Sequence, residues 1–165
     1  MMQQSRLFKI AILLAIAWTI IMKLFSPSNI VQFEIAGTTT VASAIIMDWE
    51  PDGVAMARTS TYLDFIYIIF YSAAISLGCR VAARYSKNEV MAKLGFAFAI
   101  LTLIAGGCDV IENIAMLKSL QAVTRTTVAV AYYFAIIKFT ILFTALLFIL
   151  IAFATGALRK KSITD

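Results

Sequence analysis

Four long apolar runs, parted by short polar or basic stretches, set the pattern of this chain. They predict four membrane-spanning helices over about residues 7–25, 60–80, 94–117 and 127–155, since a span needs roughly 20 consecutive apolar residues. The first run, Ile10 to Met22, follows Arg6 and Lys9 and ends at Lys23. It leads into LFSPSN without a small-residue cleavage site, so an uncleaved anchor is expected and not a signal peptide. The second run stops at Arg80 and Arg84, and its Ser72/Ser76 and Ala74/Gly78 pairs have the small-xxx-small spacing that lets membrane helices approach closely. The fourth continues to Leu158, and as one straight helix it would measure about 48 Å against a hydrocarbon core of about 30 Å, so it tilts or projects.

Residues 26–59 make the one long connection and hold Pro27 and Pro51, the only prolines. In NIVQFEIAG, Val31, Phe33 and Ile35 alternate with Gln32 and Glu34, which predicts a short extended segment. After Gly37 the period lengthens: Ala42, Ile45, Ile46 and Trp49 recur at helical spacing, with Thr38 or Thr39 as a cap and an end at Pro51 and Gly53. An amphipathic helix with a terminal Trp suits a segment at the membrane interface or folded over the bundle mouth; a solvated loop with incidental periodicity is the alternative. The lid residues to follow are Glu34 and Trp49.

Composition adds class and orientation. The chain is 62% hydrophobic and 14% charged, with mean hydropathy +0.92, outside the range of a soluble domain. The net charge of +5 does not indicate nucleic acid, because the basic residues sit at the ends of apolar runs. Nine of them (Arg6, Lys9, Arg80, Arg84, Lys87, Lys93, Arg159, Lys160, Lys161) fall on one side of the predicted spans and four (Lys23, Arg58, Lys118, Arg125) on the other. The positive-inside rule then puts both termini in the cytoplasm and the long connection outside. The expected fold is an all-α membrane protein, a four-transmembrane-helix bundle with an extracytoplasmic amphipathic lid between helices 1 and 2. Histidine is absent, which removes the usual haem ligand, the commonest zinc ligand and the default general base; no cofactor is expected. Cys79 and Cys108 would differ by about 20 Å in depth, beyond the ~7 Å a disulfide allows, so both are expected to be packing residues.

Several polar side chains interrupt the apolar runs, and ionisable groups at that depth point to function. Within AGGCDVIEN, Asp109, Glu112 and Asn113 lie on one helix face, with Thr102, Ala105, Gly106 and Met116. Asp64, Tyr67 and Tyr71 line one face of the second span. Lys138 interrupts the fourth, on a face with Ala131, Ala135, Leu142 and Ala145 that leaves room around the ammonium. Asp64 lies near the outer end of its span, Glu112 and Asp109 six and nine residues inward from Lys118, and Lys138 thirteen inward from Arg125. All fall in the outer half of the membrane, beneath the loop that holds Glu34 and Trp49. Spans three and four share a short connection and should be neighbours, so Lys138 is expected to pair with Asp109 or Glu112, with Tyr67, Tyr71 and Asn113 supplying hydrogen bonds. Three carboxylates against one ammonium require a protonated acid or a bound cation.

Three functions fit. The cluster binds a small or lipidic ligand, or couples its transport to protons. Alternatively it is an enzyme site acting on a lipid headgroup, with a carboxylate pair as general acid and base and Lys138 as nucleophile or oxyanion stabiliser. In the third, the charges fix helix register or bind a partner subunit. Oxygen ligands would suit Mg²⁺ or Ca²⁺, but Lys138 would repel either, and no metal is expected. The partners expected are membrane lipids and a small-molecule or lipid ligand, with no nucleic acid; a homo-oligomer is compatible with the pattern.

The words FEIAG, YLDFIYIIFYS, AGGCDVIENIAML and IIKF, in that order from Phe33 to Phe139, resemble an uncharacterised family of small bacterial four-helix integral membrane proteins. The resemblance implies a bacterial inner-membrane location and treats Glu34, Asp64, Asp109, Glu112, Asn113 and Lys138 as one set. It implies no activity. The paired cysteines of quinone-linked disulfide formers and the first-span glutamate of small multidrug exporters are missing, and likeness to sterol isomerase and sigma-2-like bundles is architectural only.

Overall fold

The computed structural model describes the backbone over residues 2–161 and side chains over 3–158. Six helices follow one another: α1 (Met2–Phe25), α2 (Ile30–Glu34), α3 (Thr39–Asp48), α4 (Glu50–Ser86), α5 (Glu89–Ser119) and α6 (Arg125–Lys161). α1, α4, α5 and α6 are long and apolar enough to cross a membrane, and the chain reads as a membrane protein. Their surfaces fit that medium, because large apolar side chains such as Leu103, Ile104, Phe143 and Leu150 are exposed. On α5 the expected stripe is buried instead: Thr102 and Ala105 at 0%, Met116 at 2%. α4 and α6 each have 37 residues, about 55 Å at 1.5 Å per residue, longer than the predicted spans.

Two expectations for the connection are corrected. The segment predicted as extended is the helix α2, closed by bonds from Phe33 N to Asn29 O (3.1 Å) and Ile35 N to Val31 O (3.2 Å). A lone extended segment would leave these backbone groups without partners, whereas one helical turn satisfies them locally. The predicted α3 is present, with the Thr38 hydroxyl accepting from Val41 N at 3.3 Å, a regular N-cap. Pro51 and Gly53, however, do not lead into a loop; they lie in the first turn of α4. Proline is tolerated there because the N–H it lacks would have had no helical partner. The long connection therefore ends at Trp49, which joins α3 to α4.

Residues 16–69 and 106–138 form one compact unit. Its core brings together Phe33, Ala42, Trp49, Ala57, Met116 and Val128 among others, so α2 and α3 pack with α4, α5 and α6. Trp49 is buried at 6% exposure, stacks edge-on against Phe33 at 5.1 Å and donates to Ser28 O at 2.7 Å. Its indole is thus a packing anchor. α1 is tied to α4 here by Trp18 Nε1 donating to Leu63 O at 3.2 Å and by the Ser26 and Ser60 hydroxyls, 2.7 Å apart.

Residues 70–105, with those up to 15 and from 139 onward, form the other unit. Its core is built from Cys79, Ala82, Ala83, Ala99, Ala145, Phe148 and Ala152. Small residues let α4 and α5 approach until a Cβ on Gly95 would strike the Ala83 methyl and lie 2.8 Å from Cys79 O. Cys79 and Cys108 are both free and buried, as their spacing predicts. At the α4–α5 turn Lys87 takes φ +52, and Asn88 Oδ1 accepts from Val90 N at 2.8 Å to start α5.

Candidate functional site

The AGGCDVIEN stretch is continuous α-helix within α5, and the expected face is the buried one: Asp109 is 2% exposed, Glu112 0% and Asn113 3%. Lys138 on α6, 5% exposed, meets them. Its Nζ lies 2.9 Å from Asp109 Oδ1 and astride the Glu112 carboxylate, 3.0 Å from Oε1 and 2.9 Å from Oε2. The pairing predicted with either acid is made with both. Ala131 and Ala135, buried beside Lys138 in sequence, leave the space that the long side chain needs.

Glu34 was expected in a covering segment above these groups, yet its Oε2 is 3.5 Å from Lys138 Nζ, which itself lies 2.9 Å from Glu112 Oε2. The helical form of α2 brings this about. One turn puts Phe33 into the apolar core and turns the next side chain, Glu34, toward Lys138. Burial pushes the Glu34 carboxyl above its ordinary value of 4.5; Lys138 opposes the rise and Asp109 adds to it. Asp64 on α4 completes the set. Its Oδ2 accepts from Asn113 Nδ2 at 2.7 Å, and it is electrostatically coupled to Asp109, Lys138 and Glu34.

The tyrosines stand differently. Tyr67 OH accepts from Thr19 Oγ1 of α1 at 2.9 Å; Thr19, the one hydroxyl residue between Ile10 and Met22, is the sequence signal for this bond. Tyr71 is buried at 7% exposure and belongs to the other unit. An open apolar groove of about 530 Å³ lies along α2 and α3, lined by Gln32, Ile35, Ala36, Val41, Ala44, Ile45 and Asp48. None of the charged cluster lines it.

Four carboxyl groups and one ammonium therefore meet in an interior otherwise built of alanine, methionine and aromatic rings. Taking charges out of water costs several kcal/mol per ion, which mutual attraction offsets only where geometry is close. Here the acids outnumber the base, and the charges balance only if acids of the set carry protons or a cation joins them. The arrangement can hold and exchange protons. It is poorly suited to a nucleophilic amine, which needs a neutral lysine, because the near neighbours of Nζ are carboxylate oxygens. The fold and site define an all-helical membrane protein with a buried Lys/Asp/Glu cluster. No protein-family model, curated protein or solved structure matches the chain.

Proposed function

We propose that the protein binds a small or lipidic ligand at the Glu34, Asp64, Asp109, Glu112, Asn113 and Lys138 cluster, and moves it with exchange of protons. The observation that carries this reading is the excess of buried acid over the single Lys138, with Glu34, Asp109 and Glu112 all within 3.5 Å of its Nζ. Protonatable groups inside membrane spans are costly, and proton-coupled carriers are where that cost is repaid by function. The basic-residue pattern supports termini in the cytoplasm of a bacterium, α2 and α3 as a lid on the extracytoplasmic side, and the cluster in the outer half of the membrane. The resemblance to small bacterial four-helix membrane proteins agrees with this placement.

Native mass spectrometry of the gently solubilised protein, wild type beside Glu112→Gln, tests the proposal. A lipid or metabolite retained by the wild type and lost in the variant is the expected result, and its mass gives the ligand's class. A bare protein in both, together with no proton flux in liposomes, would sink it. That outcome favours a second reading, in which the charges only fix helix packing, and the close ion pairs of Lys138 with Asp109 and Glu112 support it.

A further inference from the structure

Glu34 differs from the other charges of the cluster in where it comes from. Asp64, Asp109, Glu112 and Lys138 stand on helices long enough to span a membrane, each held by several turns on either side. Glu34 ends a helix of five residues. Its ion pair with Lys138 is the loosest, at 3.5 Å against 2.9 Å for Asp109 and Glu112. Its side chain is also more exposed than those of the three groups around it, 16% against 7% for Lys138, 3% for Asp109 and 0% for Glu112.

The backbone on either side of α2 is built to turn. Asn29 before it and Gly37 after it both have φ +69, the left-handed conformation in which a chain changes direction over a single residue. At Gly37 conformation and not space demands glycine, since an added Cβ would stand an ordinary 3.5 Å from the Tyr132 ring. Between these pivots two adjacent side chains fasten α2 down. Phe33 does so by apolar contact with Trp49, and Glu34 by its polar contact with Lys138.

The second fastening depends on a proton. Glu34 faces Lys138 from α6, Asp109 and Glu112 from α5, and Asp64 from α4. With a proton on its carboxyl, Glu34 is a neutral acid beside the ammonium. Without it, Glu34 is one of four carboxylates sharing one cation. Of the five groups, only Glu34 can leave without moving a spanning helix.

We propose that α2 is a proton-controlled latch on the buried cluster, closed while Glu34 carries a proton and released when that proton passes to water. The proposal rests on the reading of the cluster as a ligand site, whose access the latch governs. On release, α2 swings about Asn29 and Gly37, Glu34 becomes hydrated, and the side of Lys138 that it covered is opened. The latched state holds one proton more than the released state above the ordinary Glu34 value of 4.5. Latching is therefore complete below that value and is lost as pH rises through the higher value that Glu34 has in place.

Hydrogen exchange on the full chain in lipid nanodiscs, between about pH 5 and pH 8, reads the latch through the Phe33 and Ile35 amides, once corrected for intrinsic exchange. Between 4.5 and the higher value that Glu34 has in place, linkage of one proton makes their protection fall by up to about tenfold per pH unit. Glu34→Gln removes that slope, while the α5 amides around Asp109 stay protected throughout. Protection of α2 that ignores pH in the wild type, or keeps the same slope in Glu34→Gln, overturns the latch. Trp49 gives a second reading that needs no change at Glu34: in Trp18→Phe it is the sole indole, and its emission should move to the red as pH rises. Constant emission overturns the proposal. A retained ligand above a pH-independent α2 refutes the latch and leaves the ligand site standing. A pH-dependent α2 on a protein that retains no ligand upholds the latch and removes the ligand reading.

Discussion

The two compact units bury polar groups in different ways. In the unit containing Cys79 and Phe148, Ser86 Oγ donates to Ala83 O at 2.7 Å and Thr102 Oγ1 to Phe98 O at 2.8 Å, both within their own helix. In the unit containing Lys138, Thr61 Oγ1 likewise donates to Ala57 O at 2.8 Å, but the charged groups are satisfied across helices, between residues as far apart as Asp64 and Asn113. A bond to the residue's own helix survives whatever the neighbouring helices do. A bond across helices exists only in one arrangement and, where carboxyls are involved, in one protonation state. Apolar side chains gain no hydrophobic drive from leaving lipid tails, so membrane helices associate through close packing and polar contacts. One unit relies on the first of these and the other adds the second, which makes the latter responsive to protons.

The largest effect should follow from breaking the cross-helix charges. Lys138→Met leaves Asp109 and Glu112 buried without their cation, and stripping one partner from a buried pair costs about 3–5 kcal/mol. Thermal unfolding in detergent should show that loss. Adding Asp109→Asn and Glu112→Gln to Lys138→Met should restore most of it, because replacing a whole buried ionic set by neutral groups is often close to neutral. If the single and triple variants are equally unstable, space-filling by Lys138 outweighs its charge, and the contrast between the units is one of packing alone.

The next effect tests the close approach in the other unit. Gly95→Leu puts a side chain where even a Cβ meets the Ala83 methyl and Cys79 O at 2.8 Å, and overpacking of this kind costs about 1–3 kcal/mol. Gly107→Ala is the control, since nothing lies within 4 Å of a Cβ there. It should leave unfolding unchanged or slightly raise stability by favouring helix. Equal tolerance at both positions would remove the argument for tight α4–α5 contact.

Legibility in the sequence followed how local each signal was. The four long helices and the buried face of α5 could be read because hydropathy and i, i+3, i+4 spacing act within a single helix. The Lys138 pairing could be read because the short connection between Ser119 and Arg125 leaves α5 and α6 few ways not to be neighbours. α2 could not. Alternation of Val31, Phe33 and Ile35 over five residues fits a strand and also one helical turn, and only the packing of Phe33 against Trp49 decides between them. The start of α4 was missed for a related reason: Pro51 and Gly53 stop a helix when they follow one, but are tolerated in its first turn. Glu34 was placed in the right segment but too far from Lys138, an error inherited from the extended reading of α2.

The smallest predicted effect is the one that separates the two modes of burial most directly. Thr102 is fully buried at 0% exposure and at that position looks as costly as any polar residue in the molecule. Its hydroxyl, however, donates to a carbonyl one turn back on the same helix, and Thr→Val removes donor and acceptor together while keeping the shape. The Phe98 carbonyl has lone pairs for both helix and side chain and is not orphaned, so Thr102→Val should change stability by less than about 1 kcal/mol. Asn113→Leu is a different case. It takes a donor from Asp64 and leaves a carboxylate facing an apolar group, with an expected loss of about 1–3 kcal/mol. Measured side by side in the same detergent, a Thr102→Val loss as large as that of Asn113→Leu would mean that burial alone sets the cost. The expected gap between them means that what matters is whether the partner lies on the same helix or across from it.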